Sequence, residues 1–112
     1  GLMQIMPDAF NWVKSKMGDK RNITYDDMFT PEYNIEYCTF MYKYLLDKYN
    51  GDKKLAVAAY HSGMTSVDNW LKDKKVSKDG KTIDEFPSNA ANHYVNKVMK
   101  AFESYKNLYG NV

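Results

Sequence analysis

The chain has 112 residues, 44% of them hydrophobic and 27% charged, with a formal net charge of +2. That is one domain's worth of ordinary globular composition, long enough to bury a core. No block of like charge is long enough to mark a nucleic-acid footprint, no apolar run approaches membrane-spanning length, and the single cysteine, Cys38, excludes an internal disulfide framework.

The apolar opening Gly1-Leu2-Met3-Gln4-Ile5-Met6-Pro7 has no charged leader and reads as the continuation of something longer. Gln4 is a lone amide within it and needs partners if buried, either a ligand or a neighbouring backbone group. Pro7 suits a first helical position and Asp8 its first turn. Phe10, Val13 and Met17 repeat at helical spacing with Trp12 alongside, and Gly18 reads as the stop. Thr24 and Asp27 have the form of a capping box for a short turn through Met28 and Phe29, which Thr30-Pro31 breaks. Asn34 is read as the cap of the next helix, whose inner face carries Ile35, Cys38, Met41, Tyr42, Leu45 and Tyr49, with Tyr37, Tyr44 and Leu46 broadening it. Cys38 on that face behaves as a small hydrophobe, not a nucleophile.

Asn50-Gly51 ends this helix and Asp52 caps the next. The stretch that follows, Leu55–Gly63 (LAVAAYHSG), is the centre of the chain. Its three alanines permit close packing, and its polar residues, Tyr60, His61 and Ser62, gather where the apolar helix stops. A buried helix ending in a tyrosine, a histidine and a glycine is a place for a site; the alternative reads Tyr60 as a core residue and His61 as a cap. Thr65 and Asp68 form a further capping-box pattern ahead of Val67, Trp70 and Leu71, in a short helix ending near Lys72. Asp73–Glu85 is the most polar connection, with Asp79-Gly80 as a turn and Val76 and Thr82-Ile83 as flanks of a small hairpin. Ser88 or Asn89 then caps a last helix carrying Tyr94, Val95, Val98, Met99, Phe102 and Tyr105, to about Tyr109. The class is all-α.

Ten tyrosines against five phenylalanines are compatible with a carbohydrate groove, since tyrosine offers a flat apolar face and a hydroxyl. His61 and His93 are the only histidines, and nothing in their spacing recommends a metal site. The adjacent carboxylates Asp26-Asp27 and Asp84-Glu85 read as solvated loop acids, because chain neighbours do not face one substrate together.

Five landmarks, in order, resemble the catalytic domain of the soluble lytic transglycosylases. They are Gly1–Gln4 (GLMQ), Asn34-Ile35, Gly51-Asp52 with Leu55–Gly63, Val67–Leu71, and Phe86-Pro87 with Tyr94-Val95. The resemblance spans nearly the whole chain. It implies a lysozyme-like helical domain over residues 1–112, akin to goose-type lysozyme, that lacks its N-terminal catalytic-glutamate helix. It implies cleavage of the β-1,4 bond between N-acetylmuramic acid and N-acetylglucosamine of peptidoglycan, leaving 1,6-anhydromuramyl ends. The family's catalytic glutamate stands just ahead of the GLMQ motif, hence upstream of Gly1. Glu32, Glu36, Glu85 and Glu103 all sit elsewhere, so no catalytic residue is assigned in this chain.

By the same carry-over, Met3, Gln4, His61 and Gly63 line the substrate, and Tyr60 and Tyr94 form a supporting shell, the Tyr60 hydroxyl near the missing glutamate or the substrate acetamide and Tyr94 facing the same cleft. No cofactor and no metal are implied. The expected partner is the glycan strand, bound by a monomer working outside the membrane, extracellular or wall-associated (periplasmic in a Gram-negative cell), in wall turnover or in service of secretion or conjugation machinery. His61 and Ser62 depart from the family's asparagine and alanine, Met64 from a frequent proline, and Ala90-Ala91-Asn92 from Glu-Thr-Arg. His61 either tunes pH dependence or is a surface cap. Two alternatives stay open: a hydrolytic muramidase on the same fold, and a non-catalytic peptidoglycan-binding or scaffold domain.

Overall fold

The computed structural model describes residues 5–109, which form five α-helices and one short 3-10 turn, with no strand among them. This bears out the all-α class. The chain divides into two compact units, residues 1–44 and 45–112.

In the first unit, α1 (Pro7–Met17) begins with its proline where a missing N–H costs nothing. It ends at Gly18 with φ 65°, where Gly18 N–H donates to Ser15 O and Asp19 N–H to Lys14 O, the paired bonds of a Schellman turn. Phe10 and Val13 are its buried residues. Phe10 stacks on Tyr37 at 5.3 Å and meets Tyr25 edge-on at 6.0 Å. The Tyr25 hydroxyl donates to Ile5 O at 2.9 Å. Thr24 caps the 3-10 turn Tyr25–Phe29 as expected, its N–H donating to the Asp27 carboxylate at 2.8 Å.

Helix α2 (Pro31–Lys48) departs from the expected boundaries. It starts at Pro31, not after Asn34, because extended Thr30 satisfies the restriction before proline and frees Pro31 for the first helical position. Asn34 is an interior residue whose Oδ1 accepts from Cys38 Sγ. Ile35, assigned to the inner face, is 64% exposed, and the buried centre of this stretch is Tyr37. The Tyr37 hydroxyl donates to Asp19 at 2.6 Å. Arg21 donates twice to the same carboxylate, at 2.7 and 2.8 Å, and once to Glu36 at 2.7 Å. Arg21 first, then Tyr37, holds the Asp19 carboxyl far below the usual range, while burial and the facing carboxylate push the Tyr37 phenol up.

The second unit is built on α3 (Lys53–Ser62), which packs against α4 (Met64–Lys72) and α5 (Asn89–Tyr109). Asp52 caps α3 by accepting from Leu55 N–H at 3.0 Å. Every residue from Leu55 to Ala59 is buried, so the helix is enclosed on all sides rather than along a stripe. Only small residues allow that: Ala56, Ala58 and Ala59 bring neighbouring backbones close. Val67 of α4 and Ala91 and Val95 of α5 complete the core.

Two further expectations fail here. Asp68 does not close a capping box with Thr65, since α4 already starts at Met64. Asp68 instead accepts from the Tyr49 hydroxyl and from Lys48, each at 2.9 Å. Burial pushes its carboxyl up, but these bonds outweigh that and leave it below the usual range. No hairpin forms at residues 76–83. The Asp79 carboxylate accepts from the backbone N–H groups of Lys81 and Thr82 and from the Thr82 hydroxyl, closing a side-chain-capped turn that takes up the donors a strand ladder would use.

Candidate functional site at the end of helix α3

Helix α3 ends because Gly63 adopts φ 91°, ψ 151°, a backbone conformation that side-chain-bearing residues rarely take. Space is not the reason, since a Cβ there would meet nothing within 4 Å. Gly63 N–H donates to Ala59 O at 2.8 Å, and its carbonyl accepts from Val67 N–H at the start of α4. One glycine therefore stops one helix and starts the next. That corner presents Tyr60, His61 and Ser62 where the enclosed part of α3 ends.

The structure brings two of the expected site residues into contact. His61, exposed in the last turn of α3, stacks on Tyr94 of α5 with ring centres 4.6 Å apart and planes 26° from parallel. Its Nδ1 lies 3.1 Å from Ser62 Oγ. Tyr60 and Tyr94 are both half-buried. The corner thus joins two near-parallel rings, one of them the phenol of Tyr94, to an imidazole nitrogen and a serine hydroxyl. Pyranose rings are held by this combination, with C–H faces on aromatic planes and hydroxyls on polar edges. Met3 and Gln4 lie outside the described residues.

A second cluster in the same unit fixes the segment leading into α5. The Asn92 side chain brackets Phe86, accepting from its N–H and donating to its carbonyl, both at 2.8 Å. Lys54 donates to Asp84 O, and its ammonium lies 5.7 Å from the Phe86 ring centre. Trp70 of α4 contacts the same ring at 5.6 Å. Ser88 caps α5 by accepting from Ala91 N–H at 3.2 Å. Sequence reading noticed Asn92 only as the loss of an arginine. Its backbone-bracketing role leaves no periodic signal, because its partner is the main chain of a residue in a loop.

All four glutamates of the chain, Glu32, Glu36, Glu85 and Glu103, are exposed, and Glu36 is paired with Arg21. A carboxylic acid that donates a proton at neutral pH needs an apolar enclosure to keep that proton. None of the four has one.

Residues 1–83 match the family described as Transglycosylase SLT domain. The chain belongs to that family. No solved structure matches it. SLT membership brings lytic-transglycosylase or glycosidase chemistry on peptidoglycan at the level of the family. The matched stretch contains Tyr60, His61 and Gly63 and ends before Tyr94, so Tyr94 joins the site through its contact with His61.

Proposed function

We propose that this SLT domain serves cleavage of the MurNAc–GlcNAc β-1,4 bond of peptidoglycan with formation of 1,6-anhydromuramyl ends, outside the cytoplasmic membrane. The general acid/base is a glutamate ahead of Gly1 in the parent protein. The observation that carries this reading is the pairing of family membership over residues 1–83 with the His61–Tyr94 stack at the end of α3. In this scheme the glutamate protonates the glycosidic oxygen as the bond breaks, since the alkoxide is a poor leaving group. It then takes the proton of the sugar's own 6-hydroxyl, which attacks the anomeric carbon and closes the anhydro ring, so no water is consumed. Tyr60 and Tyr94 orient the substrate, with His61 and Ser62 as hydrogen-bonding edges. Met3 and Gln4 belong to the same substrate shell.

Mass spectrometry of muropeptides released from purified peptidoglycan by the parent protein tests this. Anhydromuramyl products are expected. Reducing-end products would move the chemistry to hydrolysis, and glycan binding with no product at all would make the domain a binding module.

A further inference from the structure

Helix α5 carries the Tyr94 half of the corner, and its rotation about its own axis decides where that ring lies. It meets the core through Ala91, Val95 and Val98. Apolar contact is non-directional, so a stripe of small and β-branched side chains holds a helix in place while fixing its rotation only weakly. At about 100° per residue, Tyr94 lies about 60° to one side of Ala91 and Asn92 about 100° to the other. The two side chains flank the stripe, and any rotation of α5 moves both. On the Asn92 flank the partner is anchored. Phe86 is 4% exposed, with its ring 5.6 Å from that of Trp70 on α4 and 5.7 Å from the ammonium of Lys54 on α3. Lys54 also donates to Asp84 O, which ties this segment to the helix that carries His61. The Asn92 amide accepts from Phe86 N–H and donates to Phe86 O, both at 2.8 Å, and two bonds to one residue fix an orientation that a single bond leaves free.

We infer that Asn92 is a positioning residue for the corner: by bracketing Phe86 it sets the rotation of α5 that stacks the Tyr94 ring on His61, 4.6 Å away. That the stack then serves glycan binding rests on the reading given above. A carboxamide suits this role, because one planar group accepts and donates at once at neutral pH, whereas a carboxylate only accepts and an ammonium or guanidinium only donates. Ser88 does not share it. Its hydroxyl accepts from Ala91 N–H and its carbonyl from Asn92 N–H, bonds that stay within the first turn and refer α5 to no other helix.

The test reads the stack directly, by proton NMR of the His61 imidazole. His93→Gln, at an exposed position, leaves His61 as the one imidazole to observe. Protons stacked over a tyrosine ring are shifted upfield by its ring current, so the difference from Tyr94→Ala at one fixed pH measures the stack. Asn92→Ala, and Asn92→Asp, which keeps the size and an acceptor but loses the donor to Phe86 O, should each lose most of that shift. Both should bind peptide-free glycan strands about three- to tenfold more weakly. Ser88→Ala is the control: it removes the helix cap and lowers the urea midpoint but leaves the bracket, and it should keep both the shift and the affinity. Circular dichroism verifies the helical fold of every variant. A wild-type shift in either Asn92 variant, or an equal loss in Ser88→Ala, would overturn the inference. Loss of the shift in the Asn92 variants with glycan affinity unchanged would leave the positioning in place and overturn the glycan reading instead.

Discussion

The two units solve the burial of a central element in opposite ways. In the first, the central residue is a large one, Tyr37, and its hydroxyl is met by a charged assembly of Asp19, Arg21 and Glu36. In the second, the central element is α3, whose run from Leu55 to Ala59 contains no polar side chain and is wholly buried. The first arrangement places fixed charges beside its central residue; the second keeps them off α3 from Leu55 to Ala59 and holds its own charged pair, Asp68 with Lys48, at the hydroxyl of Tyr49. Polar groups can therefore cluster at Tyr60, His61 and Ser62 without disturbing the packing, because Gly63 turns the chain immediately after them. A site at the edge of a rigid apolar element is held in place without being strained by it.

The largest effect should come from the apolar unit. Leu55→Ala should cost about 2–5 kcal/mol, since a side chain 1% exposed leaves a cavity in a helix closed on all sides. Urea unfolding measures it, and a cost well under 1 kcal/mol would show that α3 is not the packed centre. Next is the corner: Gly63→Ala should cost about 1–3 kcal/mol through backbone strain, with no steric clash to relieve. In the polar unit the effect is smaller. Tyr37→Phe should cost about 1 kcal/mol, the net value of one hydrogen bond, because Arg21 still satisfies Asp19. An effect as large as that of Leu55→Ala would mean that the charged network, not ring packing, sustains the first unit.

The Asp79 turn gives a pH test of a third kind of holding, by side chain to backbone. The N–H groups of Lys81 and Thr82, with the Thr82 hydroxyl, lower its carboxyl from 3.8 to about 2. A lowered folded-state value means that the stabilisation is complete above the ordinary carboxylate pKa and is lost as pH falls toward about 2. The protection factors of the Lys81 and Thr82 amides, taken against their intrinsic exchange rate at each pH, should therefore fall across that acid window, and in Asp79→Ala they should be low at every pH. Protection that persists in Asp79→Ala would place the turn's stability elsewhere.

Most of the helical frame was legible in the sequence because its signals are local. Pro7 and Gly18 bracket α1, Asp52 and Gly63 bracket α3, and Ser88 opens α5. The misassignments share a cause. Asn34, Asp68 and Asp79 each carry side chains able to cap a helix or mark a hairpin, but the partner was decided by something the local pattern does not contain. For Asn34 it was the proline three residues earlier, for Asp68 the phenol of Tyr49, and for Asp79 the turn backbone. At the candidate site, the sequence singled out Tyr60, His61, Gly63 and Tyr94 separately. The stacking of His61 on Tyr94 depends on how α3 packs against α5, and no spacing within one helix announces it.

The measurement closest to the central claim is a double-mutant cycle on binding to peptide-free glycan strands, using His61→Ala, Tyr94→Ala and the pair. His61 is exposed, so His61→Ala should change stability by no more than about 0.5 kcal/mol, and lost binding would then report the site rather than the fold. If the stacked rings form one sugar-binding surface, each single substitution weakens binding, and the double costs less than their sum by about 0.5–1.5 kcal/mol. Unchanged affinity in both single variants would contradict the assignment of this corner to the glycan.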